Sequence, residues 1–206
     1  MYKRQAIDIP DKKRHIHSHP IPRMGGLAIF LGFLLSVLLF ANITPQVRGI
    51  LLGAILIVVV GAIDDVMNLN AWLKFCVQIV AAVIAVLSGV IINVVSNPLL
   101  ITSEQAVTIG ILAVPVTILW IVGVTNSVNL IDGLDGLAGY TSVAYFLWFA
   151  ILLYFIYDDA VKAGNSEYAK EVLSLCVFSA SMLGGLLGYL VFNGYPAKIM
   201  MGDTGS

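Results

Sequence analysis

GILLGAILIVVVGAIDD, residues 49–65, decides the fold. Up to Ile63 it carries no polar side chain, and it ends on two adjacent aspartates. In lipid such a run satisfies its backbone only as a helix or within a closed barrel. Barrel strands are weaker, alternating segments of about ten residues, so the helix is preferred. A bilayer crossing takes about 20 residues. The run is short by that measure, and the helix is expected to extend a turn at each end.

Five comparable runs lie outward from it, at 25–42, 71–95, 106–124, 140–157 and 172–192. The expected fold is all-α: a polytopic transmembrane helical bundle of about six spanning helices. Residues 1–24 form a basic, cytoplasmic preamble, and 25–206 the transmembrane helical domain. No small-residue cleavage site follows the first span, so a cleaved signal peptide is not expected.

Composition agrees. The 206 residues are 59% hydrophobic and 11% charged, with a mean hydropathy of +0.96, against about 25% charged residues in soluble domains. A disordered tail and a disulfide-stapled module are excluded. A net charge of -1 offers no field for a nucleic acid. Cys76 and Cys176 sit in apolar runs and read as small hydrophobes.

With six crossings, alternate connections share a side. The preamble, 64–70, 125–139 and 193–206 fall together and carry Asp64, Asp65, Asp132, Asp135 and Asp203. Lys3, Arg4, Lys12, Lys13, Arg14, Arg23, Lys74 and Lys198 lie on that side, and only Arg48, Lys162 and Lys170 on the other. The positive-inside rule makes the aspartate-bearing face cytoplasmic. The remaining acidic residues, Glu104, Asp158, Asp159, Glu167 and Glu171, read as a solvated rim.

Asp64 and Asp65 meet the negative end of a helix macrodipole and repel each other. A divalent ion or a basic residue beside them would compensate, as against a plainly hydrated helix end. Asn126, Asn129, Asp132 and Asp135 recur every third residue and would stack on one face if the fourth helix continued through them. Oxygen donors of this kind suit Mg²⁺, which needs only one or two protein oxygens beside substrate phosphates. A capped amphipathic helix end is the bland alternative. Lys74 interrupts the third span near the interface, either snorkelling to headgroups or meeting a lipid phosphate. His15, His17 and His19 alternate in a loop rich in Lys, Arg and Pro, and no metal is assigned to them. Gly184 and Gly188 form a small-xxx-small pair suited to helix packing. DTGS at 203–206 is similar to the loop of soluble aspartic proteases, but those are all-β enzymes and this segment follows a membrane helix.

Four motifs in order, HSHPIPRMGG (17–26), GAIDD (61–65), NSVNLIDGLDGLAG (126–139) and MGDTGS (201–206), resemble the polyprenyl-phosphate N-acetylhexosamine-1-phosphate transferases. The preamble is closer to the undecaprenyl-phosphate N-acetylglucosamine-1-phosphate branch than to the phospho-N-acetylmuramoyl-pentapeptide translocases. The resemblance implies a cytoplasmic (inner) membrane enzyme that moves a sugar 1-phosphate from a UDP-N-acetylhexosamine to polyprenyl phosphate and releases UMP, at the start of cell-wall or surface polysaccharide synthesis. It implies Mg²⁺, with Mn²⁺ as a substitute, at Asn129 and Asp203 with Asp132 adjacent. Asp64 and Asp65 match the family's aspartate pair, expected to be catalytic. Asn126 and Asp135 match the nucleotide-sugar pocket, and Lys74 a lysine that contacts the polyprenyl phosphate. The oligomeric state stays open between monomer and homodimer. Family members usually begin one helix earlier and continue with further helices, so the chain is expected to be an internal piece of a longer enzyme.

The rival from another class is an ion-coupled transporter, which calls for carboxylates near the bilayer midplane. All five aspartates fall at span ends instead. A CDP-alcohol phosphotransferase would need an Ala-Arg pair, where Gly139 and Tyr140 follow Ala138.

Overall fold

Thr44 and Pro45 open the helix that contains the quoted stretch. The Thr44 hydroxyl accepts from the Val47 amide at 3.3 Å, and proline takes the first helical position, where no donor is needed. The helix, α2, runs Pro45–Met67, the extension expected at both ends. In the computed structural model, residues 7–8, 21–96 and 106–205 are described. His15, His17, His19 and Glu104 lie outside them, as do Lys3, Arg4, Lys12, Lys13 and Arg14.

The other long helices are α1 (Gly25–Phe40), α3 (Ala71–Leu87), α4 (Ala113–Ile131), α5 (Leu137–Lys162) and α6 (Ser166–Asn193). Four are long and apolar enough to cross a bilayer: α2, α4 with its leading 3₁₀ turn, α5 and α6. At 16 and 17 residues, α1 and α3 are apolar but shorter. The protein is a polytopic helical membrane protein.

α5 and α6 extend beyond the expected 140–157 and 172–192, so Asp158, Asp159, Glu167 and Glu171 sit on helix ends, and two further spans differ more. The run 71–95 leaves the helix at Leu87, where Ser88 caps it and Gly89 takes φ +95°. Beyond that, β3 (Val94–Ser96) pairs antiparallel with β4 (Ala106–Thr108). Valine and threonine favour the extended chain, and an apolar β-branched strand is as hydrophobic as a helix end. Helix then resumes through the turn Gly110–Leu112 and runs to Ile131, past the expected end at 124. A second small pair joins β1 (Ile7–Asp8) to β2 (Ile21–Pro22).

α5 packs along α6, α6 on α1, α2 on α3 and α3 on α4. One core cluster joins Ile29, Ala138, Leu186, Tyr189 and Met201, and a second joins Phe33, Val37, Val47 and Leu51. Phe178 meets Phe33 edge-on at 5.3 Å. Large side chains such as Leu39, Leu119, Trp148 and Phe155 stay exposed, as lipid-facing surfaces do. Gly184 and Gly188 face open space among the described residues, and Gly185 is the glycine that meets α1, at Ile29.

Three-residue and five-residue connections set the site. Residues 68–70 fold α3 back on α2, with Asn70 accepting from the Trp72 amide at 3.1 Å as the N-cap of α3. Residues 132–136 turn α4 into α5. The start of α1, the α2–α3 and α4–α5 connections and the segment after α6 therefore meet at one end of the bundle.

Candidate active site

The segment after α6 enters this end as a loop with no helix of its own. Its backbone joins the start of α1 through Met200 N–H to Pro22 O (2.8 Å), Gly25 N–H to Met200 O (3.0 Å) and Gly26 N–H to Met201 O (2.9 Å). Glycines make room for it. A Cβ on Gly26 would lie 2.2 Å from Gly205 N, and one on Gly61 would lie 2.5 Å from Asp203 O. Gly61→Ala should therefore displace the loop, at about 1–3 kcal/mol for an overpacked site. A lowered thermal midpoint in detergent is the expected readout; an unchanged one would mean the loop does not seat on α2.

Asp203 is thereby carried to Lys74. The Lys74 ammonium lies 2.7 Å from Asp203 Oδ2 and 2.8 Å from Asp64 Oδ2. Asp64 is 6% exposed, and its other oxygen accepts from the Leu69 amide. The Asn129 amide nitrogen donates to Asp203 Oδ1 at 3.3 Å. Burial would raise the Asp203 carboxyl, but hydrogen bonding with Asp64 and Lys74, the ammonium charge and the Asn129 amide hold it at about 2. It is a carboxylate at neutral pH. Asp64 and Asp203 share one ammonium, and with Asp65 beside the loop three carboxyl groups meet a single lysine at this end.

Asp65 faces elsewhere. Its Oδ1 accepts from the Asp203 amide at 2.9 Å, and its Oδ2 from the Thr204 amide at 3.1 Å and from the Thr204 hydroxyl. The basic residue expected beside the aspartate pair is thus Lys74 for Asp64, while loop donors satisfy Asp65.

The stripe of Asn126, Asn129, Asp132 and Asp135 is broken. α4 ends at Ile131, Asp132 sits at its C-cap, and Gly136 takes φ +74°. The helix thus stops before the third and fourth members, and Gly133 and Gly136 lie in the connection that carries Asp132 and Asp135 off it. Only the two asparagines share a helical face. Asn126 donates to Gln78 on α3 at 2.7 Å and to its own Val122 carbonyl at 2.8 Å. Asp135 Oδ2 accepts from the Ala197 amide at 3.0 Å. Beside it Asn193, 3% exposed, accepts from Gly136 N–H at 2.9 Å and donates to Ile199 O at 2.8 Å. Asn193 escaped the sequence reading because it sits among apolar residues with no motif spacing; Thr204 lies within MGDTGS, but nothing local marks Asp65 as its partner.

A cleft of about 500 Å³ opens between α2, α3 and α4. Ile57, Val60, Trp72, Phe75 and Val77 give it apolar walls, and Lys74, Gln78, Asn126, Asn129 and Asp203 a polar lining. Among the described residues no three His, Cys, Asp or Glu side chains converge on a metal-sized point.

The sequence model of glycosyl transferase family 4 matches residues 47–206, which include all the residues of this cluster. The chain belongs to that family. Over 98% of its length it is 40% identical to a probable undecaprenyl-phosphate N-acetylglucosaminyl 1-phosphate transferase of Bacillus subtilis, covering 51% of that protein. It is 34% identical to phospho-N-acetylmuramoyl-pentapeptide-transferases of Heliobacterium modesticaldum and Halalkalibacterium halodurans, covering 61% and 62% of them. The chain spans between half and two thirds of these relatives. The family-4 membership accords with the four ordered motifs, and all four contribute to this end of the bundle.

Proposed function

We propose that the protein of which this chain is part transfers a sugar 1-phosphate, N-acetylglucosamine 1-phosphate by preference, from a UDP-sugar to polyprenyl phosphate at the cytoplasmic face of the inner membrane. The observation that supports this best is Lys74. Its ammonium lines an apolar-walled cleft between membrane helices, which suits a phosphate on a lipid tail. Relatives carry the names of an undecaprenyl-phosphate N-acetylglucosaminyl 1-phosphate transferase and of phospho-N-acetylmuramoyl-pentapeptide-transferases. Phospho-N-acetylmuramoyl-pentapeptide transfer is the second reading, favoured by the relatives of that name.

In the reaction an oxygen of the lipid phosphate attacks the sugar-bearing phosphorus of the UDP-sugar. The bond from that phosphorus to the bridging oxygen breaks, and UMP leaves with the electron pair. Positioning and charge carry most of such a transfer. Lys74 would bind the lipid phosphate, held in place by Asp64 and Asp203. Asn126 lines the same cleft, and Asp135 orders the 195–199 loop, where they would receive the nucleotide-sugar. A phosphate monoester with a second pKa of about 6 is mostly dianionic near neutrality, so Asp64 need not be a strong base.

The acidic excess and hard oxygen donors of the cluster suit a divalent cation, which magnesium proteins often bind through one or two carboxylates plus substrate phosphates. Asp203 and Asn129, with Asp132 near in the chain, would hold Mg²⁺, or Mn²⁺ in its place. When bound, the ion supplies charge neutralisation between the two phosphate-bearing substrates.

Purified full-length protein, given radiolabelled UDP-N-acetylglucosamine, undecaprenyl phosphate and Mg²⁺, should form a labelled lipid and release UMP in equal amount. Chelation should stop it. No labelled lipid from any UDP-N-acetylhexosamine, including the muramoyl-pentapeptide, would overturn the reading.

A further inference from the structure

Asp64 and Asp65 are neighbours in sequence, yet successive side chains on a helix point about 100° apart. Asp64 accordingly turns towards α3 and Lys74, and Asp65 towards the loop 202–205. Among the described residues three donors reach Asp65: the Asp203 amide, the Thr204 amide and the Thr204 hydroxyl. Thr204 is 4% exposed, so its hydroxyl is committed to the interior of this turn. Gly202, at φ +75°, lies so close that a Cβ there would sit 2.7 Å from Asp65 Oδ2. The turn closes on itself through Gly205 N–H to Gly202 O at 3.1 Å.

We propose that Asp65 is a positioning residue: its carboxylate clamps the Asp203–Thr204 backbone and so keeps the Asp203 side chain in register with Lys74 and Asn129, without itself touching substrate. The physical need is specific. Asp203 is the one member of the cluster that no helix carries, so an unclamped loop would let it drift. A misplacement of about 1 Å can cost about 100-fold in rate. A carboxylate suits the task because both oxygens only accept, and all three facing groups donate. An asparagine in its place would turn an NH₂ towards a backbone N–H. Charge-assisted bonds of this kind are roughly twice as strong as neutral ones. The role of Asp203 rests on the transferase reading; the clamp itself does not.

The test has a structural arm and a kinetic arm, both on the full-length protein in detergent. In the first, hydrogen exchange of the peptide carrying Asp203 and Thr204 is followed without substrates. Asp65→Asn should speed exchange of those amides by about 10-fold or more, with exchange elsewhere unchanged. Thr204→Val should speed it less, and Thr204→Ser, which keeps the hydroxyl, should match wild type. Unchanged exchange in Asp65→Asn would overturn the clamp, whether or not any transfer activity is found.

In the second arm, Asp65→Asn should lower kcat by about 100-fold and Thr204→Val by a smaller factor. The double variant should be no slower than Asp65→Asn alone, because both changes release the same loop. Thr204→Ser should restore wild-type kcat. Full activity of Thr204→Val beside an inactive Asp65→Asn, or losses that multiply, would place Asp65 in direct contact with the reacting groups instead. Should no variant and no wild-type preparation transfer sugar phosphate, the transferase reading fails while the exchange arm still decides the clamp.

Discussion

Asp203→Asn in the full-length protein is expected to abolish sugar-phosphate transfer, by about a thousandfold or more, while leaving membrane insertion intact. The substitution is nearly isosteric, so the loop keeps its seat on Gly26 and Gly61. What changes is charge. Asp203 is fully ionised at neutral pH, one oxygen on the Lys74 ammonium and the other receiving the Asn129 amide. As asparagine it offers no anionic oxygen to a divalent cation and leaves Lys74 to Asp64 alone. Initial rates at saturating Mg²⁺ and both substrates would measure the loss. Wild-type turnover would remove Asp203 from the chemistry.

Lys74→Met should have the next largest effect. Methionine keeps most of the length and removes the ammonium that bridges Asp64 and Asp203. Two carboxylates are then left facing each other, one of them buried. Breaking a fully buried pair costs about 3–5 kcal/mol; with the Lys74 side chain 32% exposed, water lowers this to about 1–2 kcal/mol of stability. The kinetic loss should be larger, about 100-fold or more in kcat/KM, and concentrated in the lipid phosphate. KM for the UDP-sugar should move little. Equal losses for both substrates would place Lys74 outside the lipid-phosphate site.

The helices were legible because a membrane leaves only one local solution for a long apolar run. The same uniformity hid the paired strands at 94–96 and 106–108. Val94, Val95 and Val107 are as apolar as a helix end, and hydropathy does not separate the two. Around the site, residue type located the chemistry more readily than residue spacing did. The regular spacing of Asn126, Asn129, Asp132 and Asp135 suggested one face, and the end of α4 at Ile131, with Gly133 and Gly136 in the connection that follows, dissolved it. Lys74 was readable as a partner for a charge near the interface, but not that it would bridge Asp64 to an aspartate 129 residues from the lysine itself. Nor does adjacency distinguish Asp64 from Asp65, because their difference lies in which neighbour each helix face meets. Gly26, Gly61 and Thr204 lie inside the quoted motifs, but they and Asn193 matter through contacts across the chain whose partners no local pattern names.

Every step of the transferase reading requires the motif-bearing end of the bundle to open to the cytoplasm, where a UDP-sugar is supplied. The most direct measurement is thiol labelling by a membrane-impermeant reagent, with Cys76 and Cys176 replaced by alanine. Single cysteines at the exposed positions Met67, Gly133 and Tyr195 sample the three connections around the cluster, and one at Asn165 samples the opposite end. The first three should label in inverted vesicles and stay protected in intact cells, and Asn165→Cys should do the reverse. If any of the three labels from the same side as Asn165→Cys, the shared cytoplasmic site does not exist.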